Sequence, residues 1–345
     1  MAPDSLAVQL IAVGAAVLAA VALALVWNRV TGWLRWVARP ALVALCLVTT
    51  AAGGLTWVNR QVDAYPTWSS LVGSGAADAA PAAPVAEARA AADSGQVVRF
   101  TVPGPASGLT LAMYAYLPAG YQKSPTRRYP VVETLHGYPA SPVQWFTKLG
   151  ITQTLDQEIA AGRMAPTVVL FPYQTPDVAL DTECTNLAGG PQTETFLTED
   201  VPAFARAHLR VRTEGSAWGL MGYSAGGYCA SDLLLRHPGR YAAGASLSGY
   251  SNPGIAVGDG SEHTGYDETW RLTHLPRAAV ALYLTCARSD PHALSDTRAI
   301  AKLARPPMSV TTAYVDGGGH NAQTWRAMEA PALDWLSTWL GRPTG

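Results

Sequence analysis

Ser224 stands in Gly222-Tyr223-Ser224-Ala225-Gly226, after the apolar run Ala217 to Gly222 and before Ala225 to Arg236, which has helical periodicity. This is the G-x-S-x-G pattern in the strand-turn-helix setting a nucleophile elbow requires. The glycines leave space for a tight turn that lifts the serine hydroxyl above a sheet edge, at a helix start whose N–H groups favour developing negative charge. A serine hydroxyl is a weak nucleophile until a base takes its proton. His320, in Val-Asp-Gly-Gly-Gly-His-Asn directly after the last apolar run, is the expected base, because three glycines make a bulk-free loop that can carry an imidazole over the edge. His136 reads as shaping a strand-end loop, while His208 and His237 read as surface residues of helices.

The acid should follow the strand after the nucleophile-bearing unit. Asp290, in Cys-Ala-Arg-Ser-Asp-Pro-His, is the first choice to orient His320 and stabilise its imidazolium. Asp296, six residues on, reads as a cap of the next helix but stays an alternative acid, as do Asp267 and Glu268. The chain order Ser224, Asp290, His320 is that of an α/β-hydrolase. An oxyanion hole needs two donors. Ala225 N–H supplies one, and Tyr138 N–H in His-Gly-Tyr-Pro is expected to supply the other, since Gly137 lets the backbone bend inward and Pro139 has no N–H.

These residues need a sheet to stand on. Apolar runs at 96–102, 109–117, 129–135, 167–171, 217–222, 242–247, 280–285 and 308–315 predict strands, the first two as an antiparallel pair. Helical periodicity falls at 151–161, 201–209, 225–236, 295–304 and 322–340. Several central runs are apolar throughout, as parallel strands covered on both faces must be. The fold class expected is α/β: an α/β-hydrolase three-layer sandwich with a mixed, mostly parallel sheet, preceded by two transmembrane helices.

The segments Leu-His-Gly-Tyr-Pro-Ala-Ser at 135–141, Gly-Tyr-Ser-Ala-Gly-Gly-Tyr at 222–228 and Gly-Gly-Gly-His-Asn-Ala-Gln-Thr-Trp at 317–325 resemble the esterase D type family of α/β-hydrolases. That family includes feruloyl esterases and the antigen 85 mycolyltransferases, and the resemblance covers roughly Val97 to Leu340. It implies a Ser, His and Asp or Glu triad, carried here by Ser224, His320 and Asp290, with Trp325 packing near the site. Some members transfer acyl groups to sugars rather than to water. The mycolyltransferase branch has a later Glu as acid; this chain has Asp290 and Asp296 and then no Glu until Glu329. The resemblance also puts Asp181 to Glu199 on a long loop rimming the pocket. A disulfide between Cys184 on that loop and Cys229 after the elbow would then tether the loop, leaving Cys286 free.

The front of the chain is different material. Leu10 to Trp27 carries no charged or strongly polar side chain, and Ala41 to Val58 is broken only by Thr49, Thr50 and Thr56. Residues 1–62 are read as a membrane region with spans at 6–27 and 40–58. Buried soluble helices are the bland alternative, and a cleaved signal peptide with Arg29 to Arg39 as its basic region and Ala41 to Ala52 as its apolar core competes. Asn28 to Pro40 holds Arg29, Arg35 and Arg39 and no acid, which puts that loop in the cytoplasm and the catalytic domain outside. Trp27, Trp33, Trp36 and Trp57 suit interfacial anchors. Residues 63–95 are an Ala/Pro-rich linker, with Val85 to Ala92 transiently helical at most, and 96–345 form the exported domain.

Composition excludes several classes. The chain has 345 residues, 49% hydrophobic and 14% charged, with formal net charge −1, so it can bury a core and lacks the basic coat nucleic-acid binding exploits. Cysteine spacing and the scattered histidines give no metal site, and no organic cofactor is implied. The expected partners are an ester or acyl-lipid substrate, the bilayer and, for an acyltransferase, a sugar or glycolipid acceptor. A binding or scaffold protein on a spent hydrolase fold is the non-enzymatic alternative. Trp145, Phe146, Tyr173 and Trp325 could line an acyl or glycan surface or pack the core.

Overall fold

The computed structural model describes residues 5–62 and 94–345, with positions 3 and 68 besides, in two compact units, residues 1–78 and 79–345. The linker reading, including Val85 to Ala92, lies almost wholly outside the described residues.

In the first unit, Leu6–Val26 (α1) and Arg35–Val62 (α2) form a hairpin. Ser5 caps α1 by accepting the Val8 N–H. Arg39 donates to Trp27 O at 3.0 Å near the turn, and Arg60 donates to Gln9 Oε1 at 3.3 Å at the other end. The basic segment is shorter than the sequence suggested. A 3-10 turn at Gly32–Leu34 leads into α2, which already includes Arg35, Arg39 and Pro40. Pro40 is the sixth residue of α2, just beyond the first turn, where proline is best accommodated.

In the second unit the eight apolar runs become one sheet. Its strands are β1 Gln96–Pro103, β2 Thr110–Leu117, β3 Val131–Leu135, β4 Val168–Pro172, β5 Trp218–Tyr223, β6 Ala243–Leu247, β7 Ala281–Ala287 and β8 Ser309–Val315. Their spatial order is β1-β2-β4-β3-β5-β6-β7-β8. β1 pairs antiparallel with β2 and β2 with β4, and every later pairing is parallel. All residues of β3 to β7 are buried, which is why those runs show no polar alternation.

The helices are α3 Ile151–Ala160, α4 Val201–His208, α5 Ala225–Arg236, α6 Glu268–His274, α7 Pro291–Leu303 and α8 Ala322–Leu340. Period-two alternation assigns the faces of β5. Met221 and Tyr223 pack with Trp325, Met328 and Leu336 of α8, whereas Gly222 faces α5. A Cβ at Gly244 would meet Leu234 of α5 at 3.1 Å, so β6 also needs a small residue beneath that helix. Helix α6 escaped the periodicity because it is only seven residues long. Helix α7 begins four residues before its expected start, with Asp290 as its cap.

Glu133 sits in the middle of β3, fully buried, with Tyr241 Oη 3.1 Å from Oε2 and no protein partner for Oε1. Burial pushes its carboxyl up to about 8, partly offset by the Tyr241 contact. The folded protein therefore holds a proton there that the unfolded chain releases near 4.5. This contribution to stability is full below 4.5 and is lost as pH rises towards 8, at a slope of at most about 1.4 kcal/mol per pH unit. Glu133→Gln keeps the shape without the titration. Urea unfolding at pH 5 and pH 8 should show the variant gaining on the wild type as pH rises, and a pH-independent difference would refute this assignment.

Candidate active site

The turn after β5 places Ser224 at φ 56, ψ −123, a conformation rare for a residue with a side chain. Two glycines make it affordable. A Cβ at Gly222 would lie 1.8 Å from Gly226 O, and one at Gly226 would lie 2.1 Å from Leu135 O. Ser224 N–H donates to Leu247 O at 2.9 Å, pinning the elbow to β6. Its side chain rises at the start of α5.

His320 Nε2 lies 2.7 Å from Ser224 Oγ, and His320 Nδ1 lies 2.7 Å from Asp290 Oδ2. The loop that delivers the ring passes Gly318 at φ 94, where a Cβ would sit 2.2 Å from Thr324 Oγ1. Thr324 Oγ1 in turn accepts Gly319 N–H at 3.1 Å, and Asn321 caps α8. Trp325 stands edge-on to the imidazole, with centroids 5.1 Å apart, and stacks on Tyr223 at 4.7 Å. The imidazole is thus clamped by an acid on one side and an indole on the other.

Asp290 has two duties. Oδ2 faces His320, while Oδ1 accepts Ala293 N–H at 3.3 Å as the N-cap of α7. The rival acids are occupied elsewhere. Asp296 lies inside α7 rather than at a cap, and its Oδ2 accepts Ser251 N–H at 3.0 Å. Asp267 caps α6, and Glu268 is buried under Ser231, whose hydroxyl donates to it at 2.5 Å.

Gly137 packs the loop after β3 against Ser224: a Cβ there would lie 3.2 Å from Ser224 Cβ. The next residue is Tyr138, whose phenol donates to Ala179 O at 2.8 Å. Ala225 opens α5, where the first N–H groups have no intrahelical acceptor. His136 is buried behind this loop, its Nδ1 2.8 Å from Gly137 O, and burial holds its ring down at about 4, hence neutral. It shapes the loop, as its position suggested. His208 stacks on Phe204 at the surface.

Cys184 and Cys229 are bonded, with sulfurs 2.04 Å apart, and Cys286 is a free buried thiol. The segment Asp181 to Glu199 is a loop only in its first part; from Thr193 it winds into short helical turns. His237, read as a surface cap, does end α5, but its ring pairs with Glu194 at 2.7 Å. Glu194 also takes two bonds from Arg236 and one from Tyr266, and despite its burial these hold it down at about 2. Of the four candidate surface aromatics, Trp145 is fully buried and Trp325 nearly so. Both are core. Among the described residues, no three His, Cys, Asp or Glu side chains converge on a metal-sized site.

A strained serine, an imidazole bridging it to a buried acid, and a β1-β2-β4-β3-β5-β6-β7-β8 sheet occur together. The family model for Esterase, described as "Putative esterase", matches residues 106–336. The chain belongs to the esterase family. Within that family's reach, an uncharacterised Corynebacterium glutamicum protein is 25% identical over 240 residues, covering 65% of this chain and 56% of its own. A diacylglycerol acyltransferase/mycolyltransferase of Mycobacterium leprae is 26% identical over 158 residues, 37% of this chain and 47% of its own. The chain spans about half the length of the curated relatives it matches. A solved ferulic acid esterase superposes with TM-score 0.61 at 17% identity, over 71% of this chain and 98% of that one. An S-formylglutathione hydrolase of Agrobacterium tumefaciens gives 0.61, 17%, 73% and 98%. At these identities the superpositions speak for the α/β-hydrolase fold.

Proposed function

We propose that this esterase-family chain is a membrane-anchored serine esterase that cleaves carboxylic esters through an acyl-enzyme. The observation that carries the reading is the unbroken contact from Ser224 Oγ through His320 to Asp290. Ser224 attacks the ester carbonyl as His320 takes its proton at Nε2. Asp290 holds the ring with Nδ1 protonated and stabilises the imidazolium. Ala225 N–H and Tyr138 N–H receive the oxyanion. His320 then returns the proton to the leaving alcohol, and water repeats the sequence on the acyl-enzyme.

The anchor is the α1–α2 hairpin. At 1.5 Å per residue, the 21 residues of α1 span about 31 Å, matching the hydrocarbon core of a bilayer. Thr49 and Thr56 satisfy their hydroxyls on helical carbonyls one turn back, as a lipid-facing helix requires. Arg29 in the turn and Arg35 and Arg39 in the first residues of α2 put positive charge at that end of the hairpin, which favours a cytoplasmic turn and an exported domain on the extracellular side, tethered through residues 63–95.

A second reading has the same first half: transfer of the acyl chain to a sugar or glycolipid hydroxyl. The likeness to a diacylglycerol acyltransferase/mycolyltransferase and the closeness to lipid favour it. Turnover of p-nitrophenyl esters from two to sixteen carbons by the full chain in detergent, with and without sugar acceptors, tests both. Hydrolysis that acceptors leave unchanged supports the esterase. An acceptor-linked ester that outcompetes free acid supports the transferase, and no turnover with any chain length rejects both.

A further inference from the structure

Gln174 lies buried two residues beyond β4, and the catalytic sequence above makes no use of it. The parallel ladder between β3 and β4 runs from the pair Val131–Val168 to Glu133–Leu170. Past the ends of both strands the Gln174 side chain plays the part of a neighbouring strand. Its Oε1 accepts the His136 N–H, and its Nε2 donates to His136 O at 3.1 Å. An amide offers the donor and the acceptor that this pairing needs, whereas a carboxylate or an apolar chain does not. His136 is itself buried, where an unpaired backbone group is costly.

The amide is held from behind. The bonded sulfurs of Cys184 and Cys229 lie 3.4 and 3.9 Å from Nε2, and the Gln174 carbonyl accepts the Thr182 hydroxyl at 2.9 Å. On its other side the grip on His136 reaches the expected oxyanion donor in two steps. The neutral His136 ring carries its proton on Nδ1, 2.8 Å from Gly137 O, because a carbonyl oxygen can only accept. Gly137 O and the Tyr138 N–H belong to one trans peptide, whose planarity points the carbonyl and the N–H in opposite directions. Fastening Gly137 O to the imidazole therefore turns the Tyr138 N–H away from that ring. The same peptide adjoins the nucleophile, since a Cβ on Gly137 would lie 3.2 Å from Ser224 Cβ.

We propose that Gln174 is a positioning residue for the oxyanion hole: it fixes the backbone of His136 by both N–H and C=O and, through the His136 ring, sets the direction of the Tyr138 N–H. The inference rests on the esterase reading above. Its effect is confined to the transition state. A bound ester carbonyl carries little charge, whereas the tetrahedral intermediate carries a full negative charge that a turned N–H no longer meets. Acylation and deacylation both pass through that oxyanion, so both slow alike. Losing the grip therefore lowers kcat and leaves KM nearly unchanged.

The test uses p-nitrophenyl butyrate and the full chain in detergent. Gln174→Met, which keeps the length of the side chain without its hydrogen bonds, should lower kcat about a hundredfold and change KM less than about threefold. Inhibition by butyl trifluoromethyl ketone should weaken by the same factor. Ser224 Oγ adds to the carbonyl of that ketone as its proton passes to His320, and the carbonyl oxygen becomes the oxyanion. Gln174→Glu, whose carboxylate has no donor for His136 O, should show the same split, so the comparison survives if one variant fails to fold. A folded variant with kcat within about threefold of the wild type would overturn the positioning role. So would a rise in KM as large as the fall in kcat, or a lowered kcat with unchanged ketone affinity. An inactive wild type would instead reject the esterase reading on which the role depends.

Discussion

Ser224→Ala and His320→Ala are each expected to lower ester turnover by about 10⁴- to 10⁶-fold, and the double variant to be no slower than the worse of the two. The two groups act as one unit: the hydroxyl is a nucleophile only while the imidazole 2.7 Å away takes its proton. Removing either leaves the other without a task, so the losses do not add. The residual rate belongs to the oxyanion donors and to binding. Neither change should unfold the domain. Among the described residues Ser224 Oγ is hydrogen-bonded to His320 alone, and alanine at 224 can keep the backbone bond to Leu247 O. The check is kcat for p-nitrophenyl butyrate, with near-ultraviolet circular dichroism to show retained packing. A loss under a hundredfold, or losses that multiply in the double variant, would refute the pairing.

Asp290→Asn should cost about 10⁴-fold in kcat, and Asp296→Asn less than about tenfold. Asparagine caps a helix as well as aspartate, so α7 keeps its Ala293 bond and the loss is not one of folding. What changes is the ring of His320. With an amide opposite Nδ1, nothing fixes the tautomer that leaves Nε2 free to accept, and nothing balances the imidazolium. Asp296 is bound instead to Ser251 N–H, which an asparagine oxygen can also accept. Circular dichroism melts run beside the kinetics separate the two causes. Equal activity losses at 290 and 296, or a larger loss at 296, would reassign the acid.

Much of this site was legible because its signals are local. Gly222 and Gly226 announce themselves through space: any Cβ there would strike backbone within 2.2 Å. The order Ser224, Asp290, His320 follows from a sheet whose strands β5, β7 and β8 present their carboxyl ends to one edge. Strand positions came through because parallel strands covered on both faces must be largely apolar, and β3 to β7 are buried along their whole length with few polar residues.

The misses were made of long-range contacts between polar residues. Nothing in the residues near Glu194 foretells that Arg236, His237 and Tyr266 converge on it from later elements. Glu133, the one charged residue in the buried strand β3, is a local sequence signal of a buried acid. Gln174 carries no such mark, since its partner His136 lies 38 positions away. Asp290 was underread in the other direction. Its place before Pro291 is a helix-start signal, and helix capping and ring orientation fall on the two oxygens of one carboxylate.

The most direct test of the central claim is the mass of the Ser224 peptide after the full chain in detergent meets a fluorophosphonate. The account predicts a single phosphonyl adduct on Ser224, absent from Ser224→Ala and strongly slowed in His320→Ala. A folded protein that takes up no adduct, or takes it at another residue such as Ser248, would contradict it.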